Sequence, residues 1–201
     1  MVLKSACENP EEALQAAVAV LEQGGIVAYP TETLYGLGVK YDNRAALGKL
    51  YGLKRRPAEK AMPLIIGSRE QLSLLAASVP AAAEDLMDRF WPGPLTLVLE
   101  ARPGLPEHIT SSGRVAVRVP GESFALRLAV RAGFPFTATS ANISEQPPAR
   151  SAAMILAYFD AGIDLVIDGG ELNSALPSTV VEVAGGTVLI LRKGAADLRF
   201  P

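Results

Sequence analysis

The stretch Tyr29-Pro30-Thr31-Glu32-Thr33-Leu34-Tyr35-Gly36-Leu37-Gly38 constrains this chain more than any other. An apolar run, Gly25-Ile26-Val27-Ala28, leads into it and reads as a buried strand. That strand has to stop at Pro30, which has no N–H to give to a ladder. Two hydroxyls and a carboxylate follow at once. Gly36 and Gly38 then let backbone come close to a ligand or to another strand. Polar groups at the end of a buried strand are where open sheets covered by helices bind small molecules. A plain turn between two strands, with Thr31 and Thr33 satisfying turn amides, accounts for the same residues. Both readings require a sheet.

The rest of the chain supplies the partners for that sheet. Asn9-Pro10-Glu11-Glu12 reads as a helix start capped by Asn9, with an apolar stripe of Leu14, Ala17, Val18 and Leu21 and a stop at Gly24-Gly25. Leu37 to Lys40 reads as extended. Asn43 caps a second helix carrying Leu47, Leu50 and Leu53, and its basic end, Lys54-Arg55-Arg56-Pro57, complements the helix dipole. Strands are predicted at 63–67, 95–99, 115–119, 136–139 and 165–167, and helices from Ser68 through Leu75, from Pro80 to about Phe90, over 124–132 and over 151–159. Gly185-Gly186 joins two last strands, 179–183 and 187–191, as a hairpin. Strands that arrive through helices, followed by a closing hairpin, predict an α/β fold of the α+β type. It is a mixed, twisted β-sheet flanked by helices, in a single domain over residues 1–201.

Composition narrows the chemistry. The chain has 201 residues, a formal net charge of −2 and a pI near 5.5, so RNA binding would need a local basic patch. Cys7 is the only cysteine and His108 the only histidine. A disulfide framework and a cysteine-rich zinc site are excluded within one chain. A serine–histidine relay would have to run through His108 alone. Apolar runs such as Leu95–Leu99 and Val188–Leu191 are too short to span a bilayer, and Met1–Ser5 lacks the core of a signal peptide. A soluble, cytoplasmic protein is expected.

Neither a Walker-type loop nor a dinucleotide fingerprint is present, so side chains would have to supply most of any phosphate binding. The candidates are Lys54, Arg56, Arg118 and Arg192. Arg118 and Arg192 each interrupt an apolar strand just before its end. A buried arginine is costly unless a carboxylate of the protein or a bound anion meets it. Two such residues and a Lys-x-Arg favour a phosphate or carboxylate site. Ser140-Ala141-Asn142 follows a strand and could hold a ribose, a phosphate or an amino-acid group, or serve as an ordinary turn. Ser178-Thr179 has the same two readings. Trp91, in the rigid turn Trp91-Pro92-Gly93-Pro94, reads as a packing anchor.

Taken together, several segments resemble the YrdC family, the threonylcarbamoyl-AMP synthases. They are 30–38, Lys54-Arg55-Arg56-Pro57, Pro63-Leu64, 91–96, 115–120, Ser140-Ala141-Asn142, 178–181 and 190–194, in the family's order. The resemblance implies a large, concave, positively lined cavity. It also implies an enzyme, a nucleotidyltransferase that joins L-threonine, bicarbonate and ATP into threonylcarbamoyl-AMP and releases pyrophosphate. Partner proteins would then carry the threonylcarbamoyl group to an adenosine of tRNA. Carried over position by position, Lys54 and Arg56 would be catalytic. Thr31, Arg118 and Ser178 would bind threonine, and Lys54, Arg56, Ser140, Asn142 and Arg192 the nucleotide. Mg²⁺ would come with ATP and need no dedicated protein ligands. Two departures stand out: Arg55 replaces a glycine usual between the Lys and the Arg, and the segment from Ala58 to Met62 is longer than usual. Two alternatives remain at this stage. One is a non-enzymatic module for tRNA or double-stranded RNA. The other is a carbamoyl-adenylate enzyme like the related domain of hydrogenase maturation proteins.

Overall fold

The first helix shows how local sequence becomes packing. In the structure, a computed structural model describing residues 2–5, 8–57, 59–159, 161–172 and 176–198, helix α1 spans Pro10–Glu22. Proline sits at its first position and Glu11 and Glu12 in its first turn. Ala13, Leu14, Ala17 and Leu21 are buried, with Val18 at the flank of that stripe. Asn9 does not cap by its side chain: its backbone stands at φ −136° and ψ 70°, outside the extended geometry a cap needs.

Strand β1 (Val2–Ser5) precedes this helix, and β2 (Val27–Pro30) follows it. Strand β3 (Tyr35–Gly38) runs antiparallel to β2, from Pro30 against Tyr35 to Val27 against Gly38. The two glycines resolve in favour of packing. A Cβ on Gly38 would come within 2.8 Å of Tyr29 Cε1, and one on Gly36 within 3.1 Å of the same ring. The Tyr29 ring therefore lies across β3, and its hydroxyl donates to Thr137 O at 2.7 Å.

Helix α2 (Arg44–Lys54) begins as expected, with Asn43 Oδ1 accepting from Ala46 N at 3.0 Å. Then come β4 (Leu64–Ile65), α3 (Ala81–Phe90), β5 (Leu95–Glu100), β6 (Thr110–Ser111), β7 (Arg114–Arg118) and α4 (Phe124–Ala132). The helix expected from Ser68 is a short 3-10 helix, Arg69–Leu74. The loop after Arg102 also holds structure, a 3-10 turn at Glu107–Ile109 and then β6. Trp91 is a buried anchor whose indole N–H donates to Leu95 O at 2.6 Å.

The strand predicted over 136–139 is two strands, and this division organises the fold. Strand β8 (Phe136–Thr137) pairs with β4, while β9 (Thr139–Ser140) pairs with β3. Between them Ala138 N donates to Pro63 O at 2.8 Å. The chain thus crosses from one sheet to another, and the expected single sheet is two. After α5 (Ala152–Tyr158) come β10 (Leu165–Asp168), β11 (Thr179–Ala184) and β12 (Thr187–Arg192). The first sheet runs β1-β10-β2-β3-β9 and the second β12-β11-β5-β7-β4-β8, with β6 beside β7. Both are mixed. Helices α1 and α4 close one core over Val27, Tyr29, Ile65 and Phe136. A larger core joins residues of both sheets, among them Leu37, Leu64, Leu97 and Val117.

Candidate active site

The β2–β3 turn, the end of β9 and one face of β5, β7 and β11 enclose a hollow of about 810 Å³. Four arginines, Arg56, Arg118, Arg150 and Arg192, line it, and no aspartate or glutamate does among the described residues. A chain of net charge −2 thus concentrates positive charge in one place.

Thr31 sits in the wall with its hydroxyl already used. Its Oγ accepts from Thr33 N at 3.0 Å and Leu34 N at 3.1 Å, and donates to Leu34 O at 2.7 Å. Thr31 therefore shapes the turn. Thr33, whose sequence context suits a turn hydroxyl, also lines the hollow, and its Oγ lies 3.0 Å from Thr31 Oγ.

Arg118 closes β7 and is only 6% exposed. One of its five N–H donors meets Glu32 Oε1 at 2.9 Å, so a carboxylate of the protein does face it. Its guanidinium makes no other hydrogen bond among the described residues and lines the hollow. Of the two alternatives for a buried arginine, the internal ion pair is present, and the guanidinium still lines the hollow.

Arg192, at the end of β12, is exposed, unlike Arg118. It folds over Ser178: Nε and Nη2 donate to Ser178 O at 3.2 and 2.9 Å, and Nη2 reaches Ser178 Oγ at 3.2 Å. Ser178 Oγ also lies 2.9 Å from Thr96 Oγ. Desolvation in the wall, and then the charge of Arg118, lower the pKa of Arg192. The residues expected at the threonine end and the nucleotide end are therefore in contact through Ser178.

Arg56 is held by the irregular segment after α2. Nε donates to Lys60 O at 2.7 Å, Nη2 to Ala61 O at 2.9 Å and Nη1 to Thr139 Oγ at 3.5 Å. These bonds take three of its five N–H donors.

Lys54 does not line the hollow. It is 1% exposed, and its ammonium donates to Ser140 O at 2.5 Å, Asn142 O at 2.6 Å and Asn142 Oδ1 at 3.2 Å. Three donors meet three acceptors, which leaves none for a phosphate. Burial, and then the charge of Arg56, lower its pKa to about 7. Asn142 is likewise internal, accepting from Ser140 Oγ at 2.6 Å and donating to Gln146 O at 2.6 Å. Only Ser140 of this triplet reaches the wall. The sequence placed Lys54 and Asn142 on the ligand; in the structure neither lines the hollow.

Arg150 was missed. It lies in the loop after β9, held by Ala149 N donating to Ala141 O and Leu172 N donating to Arg150 O, each at 2.9 Å. The sequence shows there only a basic residue after Pro147-Pro148. His108 lies away from the hollow, its ring edge-on to Tyr51 at 4.9 Å. Cys7 and Ala58 fall outside the described residues.

Comparison with known proteins gives this geometry a family. A family model described as "Telomere recombination", for Sua5, YciO and YrdC, matches residues 19–194. Threonylcarbamoyl-AMP synthase of Pyrococcus abyssi is 40% identical over 92% of this chain and 55% of its own length. That of Bacillus subtilis is 37% identical over 92% and 54%. The chain thus spans about half the length of these two relatives, whereas it covers 94% of the 36% identical synthase of Klebsiella pneumoniae. The structure of P. abyssi Sua5 complexed with L-threonine superposes with a TM-score of 0.91 at 39% identity, over 96% of this chain and 58% of that one. E. coli YciO gives 0.82 at 25% identity, over 92% and 91%. With two mixed sheets, an arginine-lined hollow between them and a match over most of its length, this chain belongs to the Sua5/YciO/YrdC family.

Proposed function

We propose that this protein is an L-threonylcarbamoyladenylate synthase, a nucleotidyltransferase acting on L-threonine, bicarbonate and ATP. The observation that carries the reading is the meeting of Arg56, Arg118 and Arg192, far apart in sequence, on one hollow beside Thr33, Thr96, Ser140 and Ser178. Arginines suit carboxylate and phosphate, and the hydroxyls suit a small hydroxy amino acid. The names of the relatives and the threonine-bound Sua5 support the same choice.

In this reading the amine of threonine takes up carbon dioxide from bicarbonate to form a carbamate. A carbamate oxygen then attacks the α-phosphorus of ATP. The new O–P bond forms as the bond to the bridging oxygen breaks, and pyrophosphate leaves with the electron pair. The nucleophile belongs to the substrate, so the protein's task is placement and charge. Orienting reactants is worth effective molarities on the order of 10⁵–10⁸ M.

Arg118 receives the threonine carboxylate. Ser178 and Thr33 meet its amino-acid end from the wall, and Thr31 holds the turn. Arg56, through its two remaining N–H groups, stabilises the negative charge that grows on the leaving pyrophosphate. Arg192, Arg150 and Ser140 hold the rest of the nucleotide, and Lys54 and Asn142 support Ser140 from behind. Mg²⁺ enters as part of the MgATP substrate and neutralises phosphate charge. The described residues contain no cluster of three or more His, Cys, Asp or Glu side chains suited to a metal, so the nucleotide's phosphates would be its main ligands.

The product would pass to partner proteins that modify a tRNA adenosine, in the cytoplasm. No helix among the described residues is long and apolar enough to cross a membrane. The test is to mix protein, MgATP, L-threonine and bicarbonate, omit each in turn, and measure pyrophosphate. Release that needs all of them is expected. Salt-dependent RNA binding with no turnover would instead mark a binding module.

A further inference from the structure

Glu32 is the carboxylate nearest the arginines of the hollow, and its environment is unusual. It occupies the β2–β3 turn of the first sheet, whereas Arg118 ends β7 in the second. Their 2.9 Å ion pair therefore ties the two sheets together, with side chains only 17% and 8% exposed. Three features hold the carboxylate there. The turn that carries it is locked by the Thr31 hydroxyl. Gly121 leaves room for it, since a Cβ there would come within 3.1 Å of Glu32 Cγ. Its second oxygen, Oε2, is buried with no hydrogen-bond partner among the described residues. An unsatisfied buried carboxylate oxygen is costly, so a purely structural pair would be better replaced by apolar groups.

We propose that Glu32 is a positioning residue that sorts the two anions of the hollow. It fixes the Arg118 guanidinium by one N–H and cancels most of its charge, leaving the remaining donors aimed at the cavity. That end then suits a single carboxylate held by geometry. Polyphosphate is drawn instead to Arg56, Arg150 and Arg192, which face no carboxylate in the wall. Without such sorting, ATP or pyrophosphate would compete for every guanidinium and displace the amino acid. This inference rests on the synthase reading and adds to it a device for keeping two negatively charged ligands apart in one space.

The experiment compares the wild type, Glu32→Gln and Glu32→Ala by calorimetric titration of L-threonine, with and without magnesium pyrophosphate. Thermal melts check folding. Glu32→Ala frees Arg118 to swing and should weaken threonine about tenfold or more, the worth of a charge-assisted hydrogen bond. Glu32→Gln keeps the acceptor and should restore most of that affinity. The glutamine variant loses the neutralising charge, so pyrophosphate should weaken its threonine binding by roughly fivefold or more, against about twofold or less in the wild type. If the alanine variant fails to fold, the pyrophosphate effect in the glutamine variant decides alone. Equal loss in both variants with pyrophosphate inert, or no loss in either, overturns the assignment. A wild type that binds threonine while both variants behave like it overturns only the role of Glu32. A wild type that binds no threonine overturns the synthase reading and this assignment with it.

Discussion

Replacing Lys54 by methionine separates two roles for a buried ammonium. Methionine has a similar length and no charge. In the geometry seen here the substitution strips one hydrogen bond each from Ser140 O, Asn142 O and Asn142 Oδ1. Asn142 Oδ1 keeps Ser140 Oγ and Ser140 O keeps the Asn142 N–H, so one backbone carbonyl, Asn142 O, is left without a donor among the described residues. That loss costs about 1–3 kcal/mol when the carbonyl is buried. Relief of the ammonium's own desolvation, the cause that lowers its pKa to about 7, offsets part of this. A net loss of about 1–2 kcal/mol follows, which in a domain of this size is roughly 2–8 °C in Tm. The assay is a thermal melt followed by circular dichroism, run beside the KM for MgATP. The expected outcome is a clear drop in Tm with nucleotide binding weakened only through the loosened Ser140–Asn142 segment. A variant as stable as the wild type that has lost nucleotide affinity would refute the reasoning. It would mean that the ammonium serves the phosphates directly.

Three further outcomes are expected. Arg56→Ala should abolish threonine-dependent pyrophosphate release while the melting curve stays within a few degrees of wild type; normal turnover would remove Arg56 from the mechanism. Arg55 caps α2 at φ 49°, a left-handed conformation that costs a non-glycine residue about 1–2 kcal/mol, so Arg55→Gly should stabilise by about 0.5–1 kcal/mol in denaturant melts after the extra chain entropy of glycine. The depressed pKa of Lys54 makes the unfolded chain bind more protons than the folded one between about pH 7 and the ordinary lysine range near 10.5. Wild-type stability should therefore rise relative to Lys54→Met as pH increases through that window, and a flat difference between pH 7 and 9 would show that the three carbonyls hold the proton throughout.

Local chemistry made much of the fold legible. The stripe of α1, the Asn43 cap and the run into Pro30 all depend on near neighbours in sequence, and they form the elements their patterns imply. The division of 136–139 into strands of two sheets was hidden, because it depends on Pro63 and Leu37, which lie far along the chain and pair with this segment only after folding. The arginines of the hollow were legible for the same reason that Lys54 was grouped with them: a charge in an apolar element needs a counterpart. For Arg118 that counterpart is Glu32 together with open space. For Lys54 it is carbonyl oxygens alone, and backbone acceptors carry no sequence signature. Arg150 stands in a loop without periodicity, so only its neighbours in space give it meaning.

Synthase activity requires one hollow to hold both ligands side by side. The most direct measurement is a crystal structure with L-threonine and a non-hydrolysable ATP analogue. The expected result is threonine with its carboxylate on Arg118, the phosphates between Arg56 and Arg192, and Lys54 still bonded to Ser140 and Asn142. Phosphates seated on Lys54, or the two ligands in separate cavities, would contradict it.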